Sequence, residues 1–540
     1  MERKILFYLF LSYHLFLIYC HKCGTDFLKL TPGFIDTTNI IDKRKLDDYT
    51  RPIQIIVDMT NLKSAKNFDD SKKKKLEEIF SEITDSFSSL ISIYREISND
   101  DYTEKFKQNC DITYFDQNLK SPYMKYDLLI FATVGPLDEN ILAAATPCLF
   151  SKTYRPMAGV VIINEDLSLS KYDFKHYMKS LLFHEITHVL GFHPTIFEKK
   201  GLYYKETIDN EEHIFINSAK VLEKAKIHFG CDSIEGIRLE NQGGQGTTGS
   251  HWESRYMLGD YMISFDYQEV VISDITLALL EDTGFYKINY YTGGLFRYGK
   301  NQGCAFLKKK CLYNNGDSTS FPNEFCFEKG IAFCTSSHLA KGDCFIRNYT
   351  KNLADKYSYF LDRKLGGLVS VDYCPVSSVY ETDNSYFYPK NCNYGKQEYS
   401  TEIIGENSLC FESSIFNSDK ESICYKMSCE QNKQINVFIR DKVVNCPGYD
   451  TILTNPNQLE GEIHCPDYNI VCTSSIWCND MFDCINKKSS ANLNSYDYIS
   501  NKSALIKKDN QNLLVNDNVK GDILQIKLKY LLYSLLLLII

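Results

Sequence analysis

The stretch from Leu181 to His193 reads LLFHEITHVLGFH and contains the pattern H-E-x-x-H at His184, Glu185 and His188. On a helix the two histidines, four residues apart, lie about 40° apart on one face, so both imidazoles can reach one metal ion. Glu185 follows the first histidine and is expected beside the metal, where a general base must stand to take a proton from water. The alternatives are a chance match or a helix histidine pair that only packs.

The motif needs a third ligand, because a catalytic zinc ion takes three protein ligands and leaves a fourth position to water. His193 closes the stretch, but a continuing helix would point it about 180° away from His184. Glu211 and Glu212 lie where thermolysin-like zinc proteases place a carboxylate ligand. That arrangement gives Gly191 no role, so both carboxylates remain a less favoured alternative.

The favoured third ligand is His251, which follows a glycine-rich segment. Four glycines within residues 243–249 permit a loop that folds tightly back toward the metal. Eleven residues after His251 comes Met262, where a methionine-bearing turn could form the floor of the site.

Short apolar segments before the motif predict a sheet. Residues 53–59, 126–134 and 159–164 are predicted strands, and residues 71–94 carry apolar side chains at helical spacing. A strand, helix, strand, strand, helix order predicts a mixed sheet with a helix packed on it. The last helix is the one that carries the motif.

The ends of this motif helix are marked in the sequence. Ser170, followed three residues later by Asp173, resembles a capping box at its start. Gly191 can adopt the positive-φ conformation that ends a helix.

Composition limits the class of protein. The chain has 540 residues, 44% of them hydrophobic, which favours two to four globular domains. A net charge of −9 gives no reason to expect a nucleic-acid partner. Residues 5–19 form an apolar run behind Arg3 and Lys4, which predicts a secretory signal over residues 1–20; a buried core helix is the alternative.

Cysteine usage agrees with export. Of 20 cysteines, 18 run from Cys110 to Cys484, an even set that predicts up to nine disulfides without fixing their pairing. Fifteen lie from Cys304 onward, so residues 301–485 are predicted to be a disulfide-rich domain. Cys23, in a predicted propeptide of residues 21–50, could occupy the open zinc position of a latent precursor, or could pair or be removed with a cleaved segment.

The C-terminal end predicts surface attachment. Residues 486–522 are polar and read as a stalk, and residues 523–540 end in an apolar run that is too short to span a bilayer by itself. This arrangement resembles a glycolipid-anchor signal, in which the tail is removed. A short apolar tail that tucks under the protein or inserts weakly is the alternative.

Several segments together resemble the leishmanolysin family of metzincin zinc endopeptidases. They are HEITHVLGF at 184–192, GSH at 249–251, NQGCAFLKKKC at 301–311 and HCPDYNIVC at 464–472. The resemblance covers roughly residues 50–475. Pro194 stands where the common metzincin spacing places the third histidine, and it cannot bind a metal. The sequence departs from the leishmanolysin family in two ways: the stretch after Met59 lacks an expected cysteine pair, and the propeptide is short.

The resemblance implies an α+β metzincin catalytic domain, with subdomains at residues 51–191 and 192–300, before the disulfide-rich domain. It also implies zinc ligands His184, His188 and His251, Glu185 as general base, Met262 beneath the metal and a switch role for Cys23. The expected function is a secreted or cell-surface zinc endopeptidase acting on proteins or peptides. A catalytically inactive adhesion or binding protein on the same fold is the competing hypothesis.

Overall fold

Helices and strands alternate in the first half of the chain, and strands dominate the second half. The structure is a computed structural model that describes residues 30, 32–35, 38–39, 50–65, 69–94, 96–97, 103–112, 126–138, 141–165, 174–242, 244, 246–265, 267, 269–290, 296–329, 332–378, 390–393, 395–415, 421–472 and 481–490. The described α-helices are α1 (Thr60–Ser64), α2 (Asp70–Leu90), α3 (Thr103–Cys110), α4 (Phe174–Leu190), α5 (Pro194–Lys200), α6 (Ala219–Phe229), α7 (Ser254–Met257), α8 (Asp274–Asp282), α9 (Gly303–Lys308), α10 (Tyr468–Val471) and α11 (Met481–Ser490).

The described strands are numbered in chain order. They are β1 (Gly33–Ile35), β2 (Thr38–Asn39), β3 (Thr50–Pro52), β4 (Ile55–Asp58), β5 (Ile91–Tyr94), β6 (Glu96–Ile97), β7 (Leu128–Gly135), β8 (Ala143–Ser151), β9 (Pro156–Asn164), β10 (Tyr203–Ile208), β11 (Glu211–Ile216), β12 (Ile237–Arg238), β13 (Tyr286–Ile288), β14 (Ala332–Cys334), β15 (Lys341–Cys344), β16 (Arg347–Asn348), β17 (Leu365–Gly366), β18 (Ser377–Ser378), β19 (Ser408–Ser413), β20 (Glu421–Cys429), β21 (Ile435–Ile439), β22 (Lys442–Cys446), β23 (Thr451–Thr454) and β24 (Glu462–Cys465).

A five-stranded mixed sheet supports the motif helix, with strand order β1-β8-β9-β7-β4. Strands β4, β7 and β9 run parallel to one another, whereas β8 is antiparallel to β9 and parallel to β1. The predicted strands at 53–59, 126–134 and 159–164 correspond to β4, β7 and β9. The predicted α+β class with a mixed sheet is confirmed.

Two local predictions differ from the structure. Strand β8 was not predicted, because its sequence AAATPCLFS combines alanines with a proline, residues that are uncommon in strands. All nine of its residues are nevertheless buried, and Pro147 lies beside a register shift against β9. The helix predicted over 71–94 ends at Leu90, and the β-branched sequence ISIY that follows forms β5.

The sheet is buried on both faces, as alternation along β7 shows. Leu128 and Ile130 belong to the large core that includes α2 and α4. Leu129 and Phe131 belong to a second core with Phe106 of α3 on the other side. Successive strand side chains point to opposite faces, so one strand contributes to two helical layers.

Close packing fixes the motif helix α4 on the first of these faces. Phe183 stacks on Phe87 of α2 with ring centroids 4.0 Å apart. At Gly159 of β9, an added Cβ would lie only 2.3 Å from a methyl carbon of Val189. Glycine is therefore required there for the helix to approach the sheet this closely.

The helix ends where its sequence predicts. Gly191 adopts a φ of 150°, and its N–H and that of Phe192 both donate to the carbonyl of Thr187 at 3.1 Å. These bonds satisfy a carbonyl that the helix end leaves without a partner in the helix. The predicted capping box at Ser170 and Asp173 lies outside the described residues.

The C-terminal part consists mostly of strands, loops and disulfides, as predicted. Its largest unit is an antiparallel six-stranded sheet of order β22-β21-β20-β19-β24-β23. Eight disulfides join described cysteines: Cys110–Cys148, Cys231–Cys304, Cys311–Cys374, Cys326–Cys344, Cys334–Cys410, Cys392–Cys424, Cys429–Cys472 and Cys446–Cys465. Cys484 is also disulfide-bonded.

Several terminal predictions lie outside the described residues. These are the signal of residues 1–20, Cys23, the stalk after residue 490 and the tail. Within the predicted propeptide, residues 33–35 form β1 and pair with the last residues of β8. Among the residues that the structure describes, no helix combines the length and apolar character needed to cross a membrane.

Replacing Gly191 by alanine should lower the free energy of unfolding by about 1–3 kcal/mol, because a residue with a Cβ is strained at a φ of 150°. Space is not the cause, since the nearest atom to an added Cβ is 3.5 Å away. Urea unfolding of Gly191→Ala measures the effect. Gly135→Ala is the control, because an added Cβ there is also in ordinary contact at 3.6 Å without a positive φ. Equal urea midpoints for the two variants would contradict the strain argument.

In the six-stranded sheet, His464 of β24 lies between two carboxylates. Its Nε2 contacts Asp450, and its Nδ1 lies 3.6 Å from a carboxylate oxygen of Glu412. The hydrogen bond to Asp450 and the nearby carboxylate of Glu412 raise the pKa of His464 to about 9. The folded protein therefore holds this ring in its charged form at neutral pH.

Stability that depends on His464 should decrease at alkaline pH. Its folded-state pKa is above the unfolded value of about 6.5, so the contribution is complete below pH ~6.5 and is lost as the pH rises through about 9. Urea unfolding of the wild type and His464→Gln at pH 6, 8 and 10 should show a difference that shrinks with pH. A difference that stays constant across that range would refute the assignment, and Asp450→Asn should show the same pH trend.

Candidate metal centre

Three histidines from two separate segments meet in the core. His184 and His188 come from consecutive turns of α4, and His251 comes from the glycine-rich loop. The Nε2 atoms of His188 and His184 are 3.0 Å apart, and each lies 3.3 Å from Nε2 of His251. His184 is 8% exposed and the other two rings are fully buried.

A backbone carbonyl fixes the tautomer of each ring through its Nδ1 atom. A carbonyl oxygen can only accept, so each Nδ1 carries the hydrogen and each Nε2 presents a lone pair. The pairs are His184 with Tyr261 (2.6 Å), His188 with Phe192 (2.8 Å) and His251 with Thr247 (3.1 Å). The three unprotonated Nε2 atoms therefore face one another.

This arrangement fits a zinc ion. Zinc–nitrogen bonds of about 2.0–2.1 Å at tetrahedral angles place the ligand nitrogens roughly 3.3 Å apart. Burial lowers the pKa of His184 to about 4 and that of His251 to about 3, so both rings are neutral at physiological pH. Among the described residues, these three form the one group of three or more side chains that could hold a metal ion together.

His251 reaches the centre because the chain returns on itself. The N–H of Glu240 donates to the carbonyl of His251 at 2.9 Å, and the N–H of Gly249 donates to the carbonyl of Glu240 at 2.8 Å. Leu239 and Trp252 form an antiparallel bridge beside them. The glycine-rich segment is thus the loop of a short antiparallel pair, and His251 stands at its end.

Glu185 and Met262 both lie in the buried surroundings of the centre. Glu185 is fully buried and follows His184 directly on α4. Met262 is also fully buried, and its carbonyl accepts from the N–H of Trp252 at 3.0 Å. This bond links the methionine-bearing turn to the residue that follows His251.

The other candidate ligands have different roles. His193 begins α5, and its Nδ1 accepts from the N–H of Thr195 at 3.3 Å. Glu211 and Glu212 are exposed on β11, where they pair with Lys356 and Lys205. None of the three belongs to the histidine cluster.

The sequence did not predict the groups that orient the rings. Phe192 and Thr247 act through backbone carbonyls, which every residue has, so residue type does not identify them in the sequence. Tyr261 acts through its carbonyl on His184 and also places its hydroxyl 3.1 Å from Thr187 Oγ1. Its position directly before Met262 was the one signal that could have identified it.

An H-E-x-x-H helix on a mixed sheet, with a third histidine from a distant loop, is an arrangement typical of zinc metallopeptidases. Residues 101–478, which make up more than half of the chain, match the leishmanolysin peptidase family. The chain therefore belongs to the leishmanolysin family, and the resemblance found in the sequence is confirmed.

Individual relatives agree at moderate identity. The chain is 29% identical over 380 residues to the leishmanolysin homolog of Crithidia fasciculata, covering 65% of this chain and 56% of that protein. It is 28% identical over 371 residues to leishmanolysin of Leishmania chagasi, covering 65% and 60% of the two chains. A leishmanolysin-like peptidase of Caenorhabditis elegans is 30% identical over 328 residues, covering 48% and 49%. The chain thus spans between about half and three fifths of the length of these relatives.

The purified protein should contain about one zinc ion per chain, and His251→Ala should reduce the zinc content to near zero, because two histidines leave the site incomplete. Metal analysis by mass spectrometry after desalting measures this. His193→Asn is the matched control, since asparagine can still accept the hydrogen bond at the start of α5. Zinc retained by His251→Ala, or lost by His193→Asn, would place the metal elsewhere.

Proposed function

We propose that this chain is a zinc-dependent endopeptidase that cleaves proteins or peptides. The observation that supports this most directly is the convergence of three unprotonated Nε2 atoms, two from α4 and one from the glycine-rich loop, with the buried Glu185 next to His184 on α4. Membership of the leishmanolysin peptidase family supports the same reaction.

His184, His188 and His251 would hold the ion through Nε2 as neutral ligands. Bound there, zinc would supply Lewis-acid chemistry, lowering the pKa of a water molecule toward 7 and polarising the scissile carbonyl. The carbonyls of Tyr261 and Phe192 keep the α4 rings from rotating, so the lone pairs stay directed at one point. Preorganised ligands of this kind avoid reorganisation during the reaction.

Glu185 supplies the general base in this proposal. Its carboxylate takes the proton from the attacking water as the water oxygen bonds to the scissile carbonyl carbon. When the carbon–nitrogen bond breaks, Glu185 returns that proton to the leaving nitrogen, so the side chain ends in its starting state. A helix places Glu185 about 100° around the axis from His184, which keeps it beside the ligand set but outside it.

The ligand set and the base are complete, which favours an enzyme over an inactive binding protein. Loss of catalysis on a retained fold usually shows as the loss of a ligand or of the base, and this chain has His184, Glu185, His188 and His251. The described residues offer no comparable observation in favour of an adhesion role.

We also propose that the protein is exported to the cell surface or the extracellular space. The eight described disulfides support this, because disulfides persist in oxidising compartments. The remaining parts of this proposal rest on the sequence. They are the signal at 1–20, the propeptide at 21–50 with the Cys23 switch, catalytic subdomains at 51–191 and 192–300, the disulfide-rich domain at 301–485, the stalk at 486–522 and the lipid-anchor tail at 523–540.

Glu185→Gln should bind zinc like the wild type and lose peptide cleavage by at least about 100-fold in kcat, because glutamine cannot take the water proton. Casein cleavage and zinc content, measured on the same preparation, test both statements. Glu198→Gln, an exposed position on α5, is the control and should keep full activity. Wild-type cleavage rates in Glu185→Gln would remove Glu185 from the mechanism. Zinc-loaded wild type that cleaves no peptide library would favour the binding protein instead.

A further inference from the structure

We propose that Asp260 is a positioning residue whose carboxylate sets the orientation of two of the three metal-binding histidines, His184 and His251. The proposal deepens the proposed function and rests on it, because the centre must hold a metal for the orientation to matter. It concerns a side chain that touches neither the metal position nor any of the three rings in the described contacts.

Both carboxylate oxygens of Asp260 accept strong hydrogen bonds inside the core. Oδ1 accepts from the N–H of Met262 at 2.7 Å, and Oδ2 accepts from Thr276 Oγ1 at 2.7 Å. Asp260 is fully buried. It lies near the first turn of α8, where the helix dipole favours a negative charge.

The link to His184 runs through the backbone. The bond from Met262 to the Asp260 side chain closes a tight turn that has Tyr261 at its centre. The Tyr261 carbonyl accepts from Nδ1 of His184 at 2.6 Å, the shortest of the three ring contacts. The Tyr261 N–H donates to the carbonyl of Val271 at 2.9 Å. Asp260 therefore controls the direction of the carbonyl that holds the His184 ring.

The link to His251 runs through Trp252. Trp252 Nε1 donates to Thr276 Oγ1 at 2.7 Å, and that hydroxyl donates its own hydrogen to Asp260. An indole N–H can only donate, so the direction of this chain is fixed. The N–H of Trp252 also donates to the carbonyl of Met262 at 3.0 Å. The residue next to His251 is thus attached to the Asp260 turn at two points.

The chemistry of these contacts requires a carboxylate. Burial raises the pKa of Asp260 to about 6 against the opposing effect of its hydrogen bonds, which leaves the group ionised at neutral pH. An ionised carboxylate accepts at both oxygens, whereas an asparagine side chain of the same shape has one acceptor and one donor. In asparagine one of these two positions becomes an N–H₂ group. That group would face either the N–H of Met262, which is also a donor, or the hydroxyl of Thr276, which would then have no acceptor at this side chain.

A purely structural role predicts a different outcome from a positioning role. Loss of a buried hydrogen bond lowers stability wherever it occurs, but it leaves metal affinity unchanged unless the bond orients a ligand. Groups that orient metal ligands typically change metal affinity by about 10–100-fold when they are replaced. Zinc affinity, measured separately from activity and stability, distinguishes the two roles.

The test uses the full-length protein and three variants, Asp260→Asn, Thr276→Val and Glu324→Gln. Thr276→Val keeps the shape of the side chain and removes the hydroxyl that links Trp252 to Asp260, together with its 3.4 Å contact with Ser273 Oγ. Glu324→Gln is the matched control, because Glu324 is also a buried carboxylate, bonded to Gly299 N–H and Asn323, neither of which contacts a ring of the centre. For each protein, the zinc dissociation constant is measured by chelator competition, with kcat, KM and the thermal midpoint.

We expect zinc affinity to fall about 10–100-fold in Asp260→Asn and by a smaller factor in Thr276→Val, with kcat reduced and KM nearly unchanged. Glu324→Gln should keep wild-type zinc affinity, because neither of its hydrogen-bond partners contacts a ring of the centre. Wild-type zinc affinity in both Asp260→Asn and Thr276→Val would overturn the proposal while leaving the proposed function intact. Should Asp260→Asn not fold, Thr276→Val decides alone. A wild type that binds no zinc would refute the proposed function, and this inference with it.

Discussion

Three lone pairs directed at one buried point are the constraint on which the rest of this protein depends. The Nε2 atoms of His184, His188 and His251 lie 3.0–3.3 Å apart, and none of them can donate to another, because each ring carries its hydrogen on Nδ1. A buried acceptor without a partner costs about 1–3 kcal/mol, so without a cation the centre opposes folding by several times RT. A bound metal ion would remove this cost, which would couple metal affinity to the stability of the fold.

The rest of the fold offsets this local cost, because separate sets of contacts hold the α4 histidines and His251 in place. The mixed sheet and α2 fix α4 from behind, through the close approach at Gly159 and the stacked pair Phe87 and Phe183. The pairing around Glu240 returns the chain so that His251 faces α4. A disulfide between residues 231 and 304 encloses this returning segment, and closing its 73-residue separation stabilises the fold by roughly 4 kcal/mol on the chain-entropy account.

Part of the site could be predicted because it depends only on which side chains are present and on their spacing within one helix. His184, Glu185 and His188 fall on one helix, and Gly191 ends that helix where its backbone turns to positive φ. Strands β4, β7 and β9 were predicted from their β-branched apolar runs. Strand β8 was not predicted, because an alanine-rich strand gains its stability from burial on both faces. Burial of that kind is a property of neighbours in space and has no periodic signature.

The sequence by itself determined that two histidines and a glutamate share one helix, that a glycine-rich loop leads to a third histidine, and that an even set of cysteines serves a disulfide-rich C-terminal part. The tertiary structure alone decided which alternative ligand meets the pair. His251 does so across 63 residues from His188, whereas His193 begins α5. It also decided which nitrogen of each ring is available, because backbone carbonyls set the tautomers and their directions depend on turns such as the one held by Asp260. Local spacing fixes what a helix presents, but contacts between distant segments depend on packing that a linear pattern does not encode.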